Sequence, residues 1–136
     1  MDLKTVLEVL EGKVFPPPLG LSQTADRDLE NLEFSCGGAA DLMSDVLAFA
    51  KSGSLLLTGL TNPQVVRTAD ILEIAAIILV RGKRPPQETI QLAQDLKIPI
   101  LTTKYILFET SGRLHEKGIV GCIEKVGSNR ADAGRE

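Results

Sequence analysis

The sequence predicts an α/β fold: a layered, mainly parallel sheet of about four to five strands flanked by helices. Short apolar runs alternate with amphipathic segments about every 23 residues, the spacing of repeated strand–helix units. The run at 75–80 is continuously apolar. A strand that helices cover on both faces has this pattern, and the crossovers of such a sheet should be right-handed.

Composition fits one domain over residues 1–126, with a leader of helix, strand and connector at 1–32 and a disordered tail at 127–136. Apolar residues make up 43% of the 136 residues, enough for a core. No apolar run approaches the roughly 18 residues that span a bilayer, and no secretory signal is visible, so the cytosol is the expected location. A net charge of −3 and the absence of Trp disfavour nucleic-acid binding.

The leader begins with an amphipathic helix predicted over residues 2–10, for which Asp2 can serve as the N-cap. A short strand follows at 13–15. Three consecutive prolines at 16–18 end regular structure, because proline lacks the amide donor. Residues 19–32 are polar and acidic with scattered leucines, which indicates a connector.

The first strand–helix unit is a strand at 34–38 that ends in a flexible glycine turn, followed by a helix at 41–50. Five apolar residues are predicted to share one face of this helix: Leu42, Met43, Val46, Leu47 and Ala50. The second unit has a strand at 54–58 and a helix at 63–74. Pro63 suits the first helical turn, and Asn62 or Thr61 the cap before it.

Two further units complete the pattern, with strands at 75–80 and 98–102 and helices at 87–96 and 104–116. Three residues of the last helix are predicted to be buried: Tyr105, Phe108 and Leu114. The apolar stretch at 119–123 indicates a final strand or a subunit contact.

Ligands of parallel α/β sheets bind where the carboxyl ends of the strands meet the turns and helix N-termini. Four turns at this edge are rich in glycine, threonine or cations, a composition that favours a phosphate-bearing or other anionic ligand. Their residues are the predicted binding set: Gly37, Gly38, Thr58, Gly59, Thr61, Asn62, Arg81, Gly82, Lys83, Thr102 and Thr103. Ordinary turns and helix caps use the same residue types, so this alternative stays open.

Other chemistry-bearing residues give no catalytic, metal or cofactor site. Asp41 and Asp45 lie one helical turn apart and could bind a metal, but the helix dipole also explains acidic residues there. His115 lacks a nucleophile partner, and neither the P-loop nor the dinucleotide fingerprint is present. Cys36 and Cys122 are predicted to be reduced, packed thiols. The sequence therefore predicts a protein that is not an enzyme.

Five stretches carry a family resemblance that extends from Gly37 to about Ile119: residues 40–48, 53–59, 75–82, 85–89 and 98–103. In order and spacing they resemble the DRTGG domain family, most closely its stand-alone members. Such domains accompany CBS modules in regulated pyrophosphatases and are similar in fold to the N-terminal domain of HPr kinase/phosphorylase. The resemblance implies a regulatory or ligand-sensing role, with chemistry left to other domains.

The resemblance also implies partners. Family members associate with themselves, so a homo-oligomer is expected, with a dimer favoured. Stand-alone members accompany iron-only hydrogenase gene clusters, which implies the alternative role of an assembly subunit for a redox complex without a small ligand. The motif that names the family is replaced here by Gly59-Leu60-Thr61-Asn62 and Arg81-Gly82-Lys83, in which Gly82 alone matches.

Overall fold

The structure, a computed structural model, describes residues 1–15 and 32–126. The prolines at 16–18, the predicted connector except its last residue, and the predicted tail at 127–136 lie outside this part of the chain.

Five helices and six strands follow one another in the described residues. In chain order they are α1 (Leu3–Leu10), β1 (Lys13–Phe15), β2 (Cys36–Ala39), α2 (Met43–Phe49), β3 (Leu55–Thr58), α3 (Pro63–Ile71), β4 (Ala76–Leu79), α4 (Gln87–Leu96), β5 (Ile100–Thr102), α5 (Leu107–Glu116) and β6 (Val120–Gly121).

The strands form one sheet in the order β1-β5-β4-β3-β2-β6. Strands β2 to β6 are parallel to their neighbours, and β1 alone runs antiparallel, against β5. The predicted layered, mainly parallel α/β fold is thus confirmed. The sheet has more strands than the four or five expected, because β1 and β6 extend its two edges.

In its described residues, the N-terminal leader forms the helix and the strand that the sequence predicts. The Asp2 carboxylate caps α1 by accepting a 2.8 Å hydrogen bond from the Thr5 backbone N–H, which lowers the pKa of Asp2. Strand β1 then pairs with β5. The Thr103 hydroxyl donates a 2.6 Å hydrogen bond to the Leu10 carbonyl, so the end of α1 is attached to the end of β5.

Apolar side chains pack on both faces of the sheet. Because side chains alternate along a strand, Ile77 and Ile78 of β4 enter opposite layers. One layer lies under α1 and α5 and contains Ile78, and the other contains Ile77 and residues of α3 and α4. Both isoleucines are at most 1% exposed.

Some of the helical predictions differ from the structure. Of the five apolar residues predicted to share one face of α2, Val46 alone is fully buried, and Leu42 and Leu47 are 62% and 53% exposed. The reason is that α2 lies near the sheet edge and packs mainly against α3 and β2. Phe108 is 84% exposed, because α5 turns its Thr110 and Leu114 face to the core.

The third difference concerns the end of α3. This helix ends at Ile71, three residues before the predicted Ile74. Glu73 adopts a left-handed conformation with φ of 55°, which no helix continues through. Ile74 is nevertheless buried, as a core residue in the turn that leads to β4.

Candidate functional site

Three of the four predicted turns meet at one edge of the sheet. Thr58, Leu79 and Thr102 form one row across β3, β4 and β5, so the turns that follow these strands begin side by side. We call this region the carboxyl edge. It contains Gly59 after β3, Arg81 to Lys83 after β4, and Thr103 after β5.

The fourth turn is not where the sequence predicts it. Gly37 and Gly38 lie inside β2 and pair with Leu55 and Leu56 of β3. Because the two glycines have no side chains, they leave space beside β2, but the strand continues through them. The chain leaves the sheet after Ala39, so that Asp41 takes the place at the edge that the glycines were predicted to have.

The Asp41 carboxylate accepts the hydrogen bond of a backbone N–H in the β3 turn. Its Oδ1 accepts hydrogen bonds from the Gly59 backbone N–H at 2.7 Å and from the Thr58 hydroxyl at 3.0 Å. The Thr58 hydroxyl also accepts from the Leu60 N–H at 3.2 Å. A carboxylate of the chain itself therefore sits where an anionic ligand would meet this turn.

Thr61 and Asn62 have structural roles. The Asn62 side chain caps α3 by accepting from the Val65 N–H at 3.3 Å, which confirms it as the cap. The Thr61 carbonyl accepts a 2.6 Å hydrogen bond from the Thr89 hydroxyl and so joins this turn to α4. At these positions the alternative of ordinary capping is the one that the structure supports.

The β4 turn is a rigid left-handed turn. Arg81 and Gly82 have φ values of 64° and 67°, and their backbone N–H groups donate to the carbonyls of Tyr105 and Thr103, each at 2.8 Å. Lys83 donates its N–H to Val80. These backbone N–H groups already donate within the protein, so a ligand can bind only to the cationic side chains of the turn.

The Arg81 side chain is placed over the glycine of the neighbouring turn. A Cβ added to Gly59 would collide with a terminal guanidinium nitrogen and lie 3.2 Å from Cζ. Glycine is therefore needed at position 59 for this close approach. The guanidinium therefore lies against the β3 turn, in which the Gly59 N–H donates to Asp41.

Thr102 and Thr103, the last residues of the predicted binding set, differ in burial and in hydrogen bonding. Thr102 is half-buried as the last residue of β5. Thr103 is 3% exposed, and its hydroxyl donates to Leu10 and accepts from the Tyr105 N–H at 3.3 Å. Thr103 therefore stabilises the turn and cannot at the same time present its hydroxyl to a ligand.

Exposed cations give the carboxyl edge a positive charge. Arg81 and Lys83 follow β4, and Lys104, which the sequence analysis did not include in the binding set, lies beside Gly82. None of these three is in an ion pair within the described residues. Arg84 instead stacks on the Phe15 ring, with Cζ 5.4 Å from the ring centre.

A second concave surface lies beside β2 and the edge strand β6. This open groove of about 640 Å³ runs between β2, β6 and α5, and its wall includes Gly37, Gly38, Phe108 and Gly112. His115 stands at its margin, exposed. The groove is mostly apolar and does not include the cations of the carboxyl edge.

Asp41 and Asp45, which the sequence analysis considered as a metal-binding pair, have separate surroundings in the structure. Asp45 is exposed in the first turn of α2, while Asp41 is bonded to Thr58 and Gly59. Across residues 1–15 and 32–126 no three His, Cys, Asp or Glu side chains are grouped as metal ligands. In the same part of the chain, no helix has the length and apolar character to cross a membrane.

A solved structure has the same fold. It is the CBS and DRTGG domains of the regulatory region of Clostridium perfringens pyrophosphatase, complexed with its activator diadenosine tetraphosphate. It superposes with a TM-score of 0.60 at 18% identity, over 83% of this chain and 45% of the other. This chain therefore spans less than half of that neighbour.

Comparison with protein families shows which family the chain belongs to. No curated protein matches the chain significantly. The family model described as the DRTGG domain matches residues 23–117, which is more than half of the sequence. The order of strands and helices over this range is the one described above. The chain belongs to the DRTGG domain family.

Proposed function

We propose that this chain is a regulatory, ligand-sensing domain without catalytic activity of its own, which binds a small phosphate-bearing anion at the carboxyl edge. The observation that carries the proposal is the Arg81 guanidinium, held over Gly59 where three turns meet. A planar guanidinium donates paired hydrogen bonds to phosphate oxygens.

The surrounding charges support an anion of more than one phosphate. Lys83, which follows Gly82 in the β4 turn, and Lys104, which lies beside Gly82, are both exposed. Because hydrogen bonds to Tyr105 and Thr103 already fix the backbone of this turn, a ligand does not have to order the backbone on binding. Asp41 repels an anion, so the cations have to outweigh one carboxylate.

The structural neighbour supports a regulatory role. That protein's regulatory region, which contains CBS domains besides its DRTGG domain, is activated by diadenosine tetraphosphate. A nucleotide with a polyphosphate chain agrees in chemical class with the ligand that the cations here favour. We therefore propose adenine nucleotides as the first ligands to examine for this chain.

The test is a calorimetric titration of the whole chain with diadenosine tetraphosphate and ATP, and with inorganic pyrophosphate as the phosphate-only probe. Arg81→Gln should weaken binding about tenfold or more, because a charge-assisted hydrogen bond is lost. Arg67→Gln is the matched control: Arg67 is equally exposed but lies on α3, and the variant should bind like the parent. Absence of binding by the parent, or equal affinity of the two variants, would reject the site.

Asp41 supplies a test of opposite sign. Asp41→Asn keeps an oxygen that accepts from Gly59 and Thr58 but removes the negative charge beside the ligand. Affinity for the anion should rise by about fivefold. Asp45→Asn, one helical turn away and exposed, should change affinity little. Weaker binding by Asp41→Asn would mean that the ligand lies elsewhere.

The groove favours a second candidate function, namely self-association through its apolar face. Phe108 and Val120 are 84% and 46% exposed on neighbouring elements, and β6 leaves an open sheet edge. An apolar patch with an unpaired edge strand is typical of an interaction surface. We propose a homodimer through α5 and β6. The redox-complex partner implied by the family resemblance stays a prediction for the same face.

Sedimentation equilibrium tests the dimer. The parent chain should be dimeric and Phe108→Asp monomeric, because a carboxylate in an apolar interface is left without a partner. Ile71→Asp is the control, since Ile71 is 71% exposed on α3, away from the groove. A monomeric parent, or a dimer that survives Phe108→Asp, would contradict self-association through this face. A stoichiometric partner protein that copurifies with a monomer would support the interaction-subunit alternative.

A further inference from the structure

The two cysteines of the chain lie in contact at the outer edge of the sheet. Cys36 begins β2 and Cys122 directly follows β6, 86 positions later. Their Sγ atoms are 2.6 Å apart. The sequence analysis predicts two packed thiols but does not predict that they meet.

Backbone pairing holds the two sulfur atoms together. Cys36 pairs with Val120 and Gly37 with Gly121, and the Cys122 N–H donates to the Gly37 carbonyl at 3.1 Å. The chain bends sharply after β6: a Cβ on Gly121 would lie 2.8 Å from the Ile123 carbonyl oxygen. The thiols cannot separate far unless β6 leaves the sheet.

We propose that Cys36 and Cys122 are a thiol–disulfide modification site, which a small disulfide such as oxidised glutathione converts to an intramolecular bond that locks β6 onto β2. The Sγ atoms need to approach by only a fraction of an ångström to reach the bond length of about 2.05 Å. The site is separate from the carboxyl edge and does not depend on ligand binding there.

Accessibility decides the order of the reaction. Cys36 is half-buried and Cys122 is 7% exposed, so the reagent meets Cys36 first. The Cys36 thiolate attacks one sulfur of the reagent and releases one thiol. Cys122 then loses its proton and attacks the Cys36 sulfur of the mixed disulfide, releasing the second thiol. Two protein thiols are oxidised, and one small disulfide is reduced to two thiols.

The bond would restrain the unfolded chain strongly, because it connects residues 86 positions apart. In the native state it fixes the short β6, whose two residues are otherwise held by pairing with β2 alone among the strands. Oxidation should therefore raise the midpoint of thermal unfolding by about 10 °C.

The experiment exposes the whole reduced chain to oxidised glutathione, quenches with an alkylating reagent and maps the peptides by mass spectrometry. We expect a peptide pair linked through Cys36 and Cys122, no alkylated thiol, a monomeric band on a non-reducing gel, and full reversal by dithiothreitol. Two alkylated cysteines, a stable mixed disulfide with glutathione, or crosslinks between chains would each overturn the proposal.

The thermal measurement uses Cys36→Ser as the matched variant. Oxidation should raise the midpoint of the parent and leave that of Cys36→Ser unchanged. Since Cys36 is half-buried, serine should be tolerated there better than at Cys122. The peptide map of the parent needs no variant, so misfolding of Cys36→Ser would leave the main test intact. A linked peptide pair with an unchanged midpoint would overturn the inference that the bond locks β6.

Discussion

Most polar side chains at the carboxyl edge are used by the protein itself. Thr58 bonds to Asp41, Asn62 caps α3 and Thr103 attaches β5 to α1. A buried polar group has to find such partners, because an unsatisfied one costs about 1–3 kcal/mol. Arg81 differs, since its guanidinium is exposed and not in an ion pair within the described residues.

The cap of α3 gives the first prediction at this scale. Asn62→Ala removes the acceptor of the Val65 N–H and should lower the free energy of unfolding by about 1 kcal/mol. Asn62→Asp keeps the acceptor and should retain most of the stability. Urea denaturation followed by circular dichroism measures both. A variant with alanine as stable as the parent would show that water replaces the cap at no cost.

The Cys36 thiol gives a prediction about pH. Partial burial raises the pKa of Cys36 to about 11 from 9.0, and the contact with Cys122 adds to this, against a small opposing effect of Lys51. The folded state then holds a proton that the unfolded state loses first. This contribution to stability is complete below pH 9 and is lost as the pH rises through 11.

Denaturation under reducing conditions at a series of pH values measures this contribution of Cys36 to stability. Lysines also titrate in this range, so the comparison is with Cys36→Ser, whose stability should fall less steeply between pH 9 and 11. Parallel curves for the parent and the variant would contradict the raised pKa. At neutral pH the same shift predicts slow oxidation of the pair, because little thiolate is present.

At the scale of elements, the ends of the short strands and the positions of the glycines determine which groups lie at the carboxyl edge. Because Gly37 and Gly38 belong to β2, Asp41 reaches the β3 turn and bonds to Gly59. The turns after β3 and β4 then approach closely enough for Arg81 to cover Gly59. The candidate site is thus a property of neighbouring turns and of the loop before α2.

Gly59→Ala tests this arrangement. Its Cβ would collide with the end of the flexible Arg81 side chain, which can move away, so stability should change by less than about 1 kcal/mol. Anion affinity should nevertheless fall several-fold, because Arg81 no longer lies over the turn. Gly38→Ala is the control: its Cβ meets nothing within 4 Å. Calorimetry measures the anion affinity of both variants. An unchanged affinity of Gly59→Ala would mean that the position of Arg81 over the turn does not contribute to binding.

At the scale of the whole molecule, two apolar layers share one sheet. Ile77 and Ile78 belong to different layers, although they are adjacent in β4. A central strand buried on both faces couples the layers, since neither can lose its packing while the sheet stays intact. We expect the described domain to unfold in one cooperative step.

Truncation of either isoleucine should therefore have the same kind of effect. Ile77→Ala and Ile78→Ala should each cost about 2–5 kcal/mol, and each should shift a single transition seen equally by far-ultraviolet circular dichroism and by tyrosine fluorescence. Ile71→Ala, at an exposed position, should cost less than about 0.5 kcal/mol. Separate transitions for the two variants would mean that the layers unfold independently.

The sequence by itself predicted the strand–helix order, the doubly covered strand β4, Asp2 as one cap and Asn62 or Thr61 as another, and the edge at which three of the four predicted turns meet. These features depend on local periodicity, on capping chemistry and on the shared direction of parallel strands, all of which short stretches of sequence contain. The burial of Phe108 was predicted wrongly, and the shared apolar face of α2 is only partly covered, because helical periodicity does not say how much of a face a neighbour covers.

Tertiary structure alone decided which groups meet. Asp41 bonds to Gly59, Arg81 covers the same glycine, and Cys36 touches a cysteine 86 positions away. Such contacts depend on strand order and register, which join distant segments, and one sequence without its fold contains no local signal for them. The fold class and the edge of the candidate anion site were therefore predicted from the chain, whereas the position of Arg81 over Gly59 and the contact of the two thiols were found only in the assembled sheet.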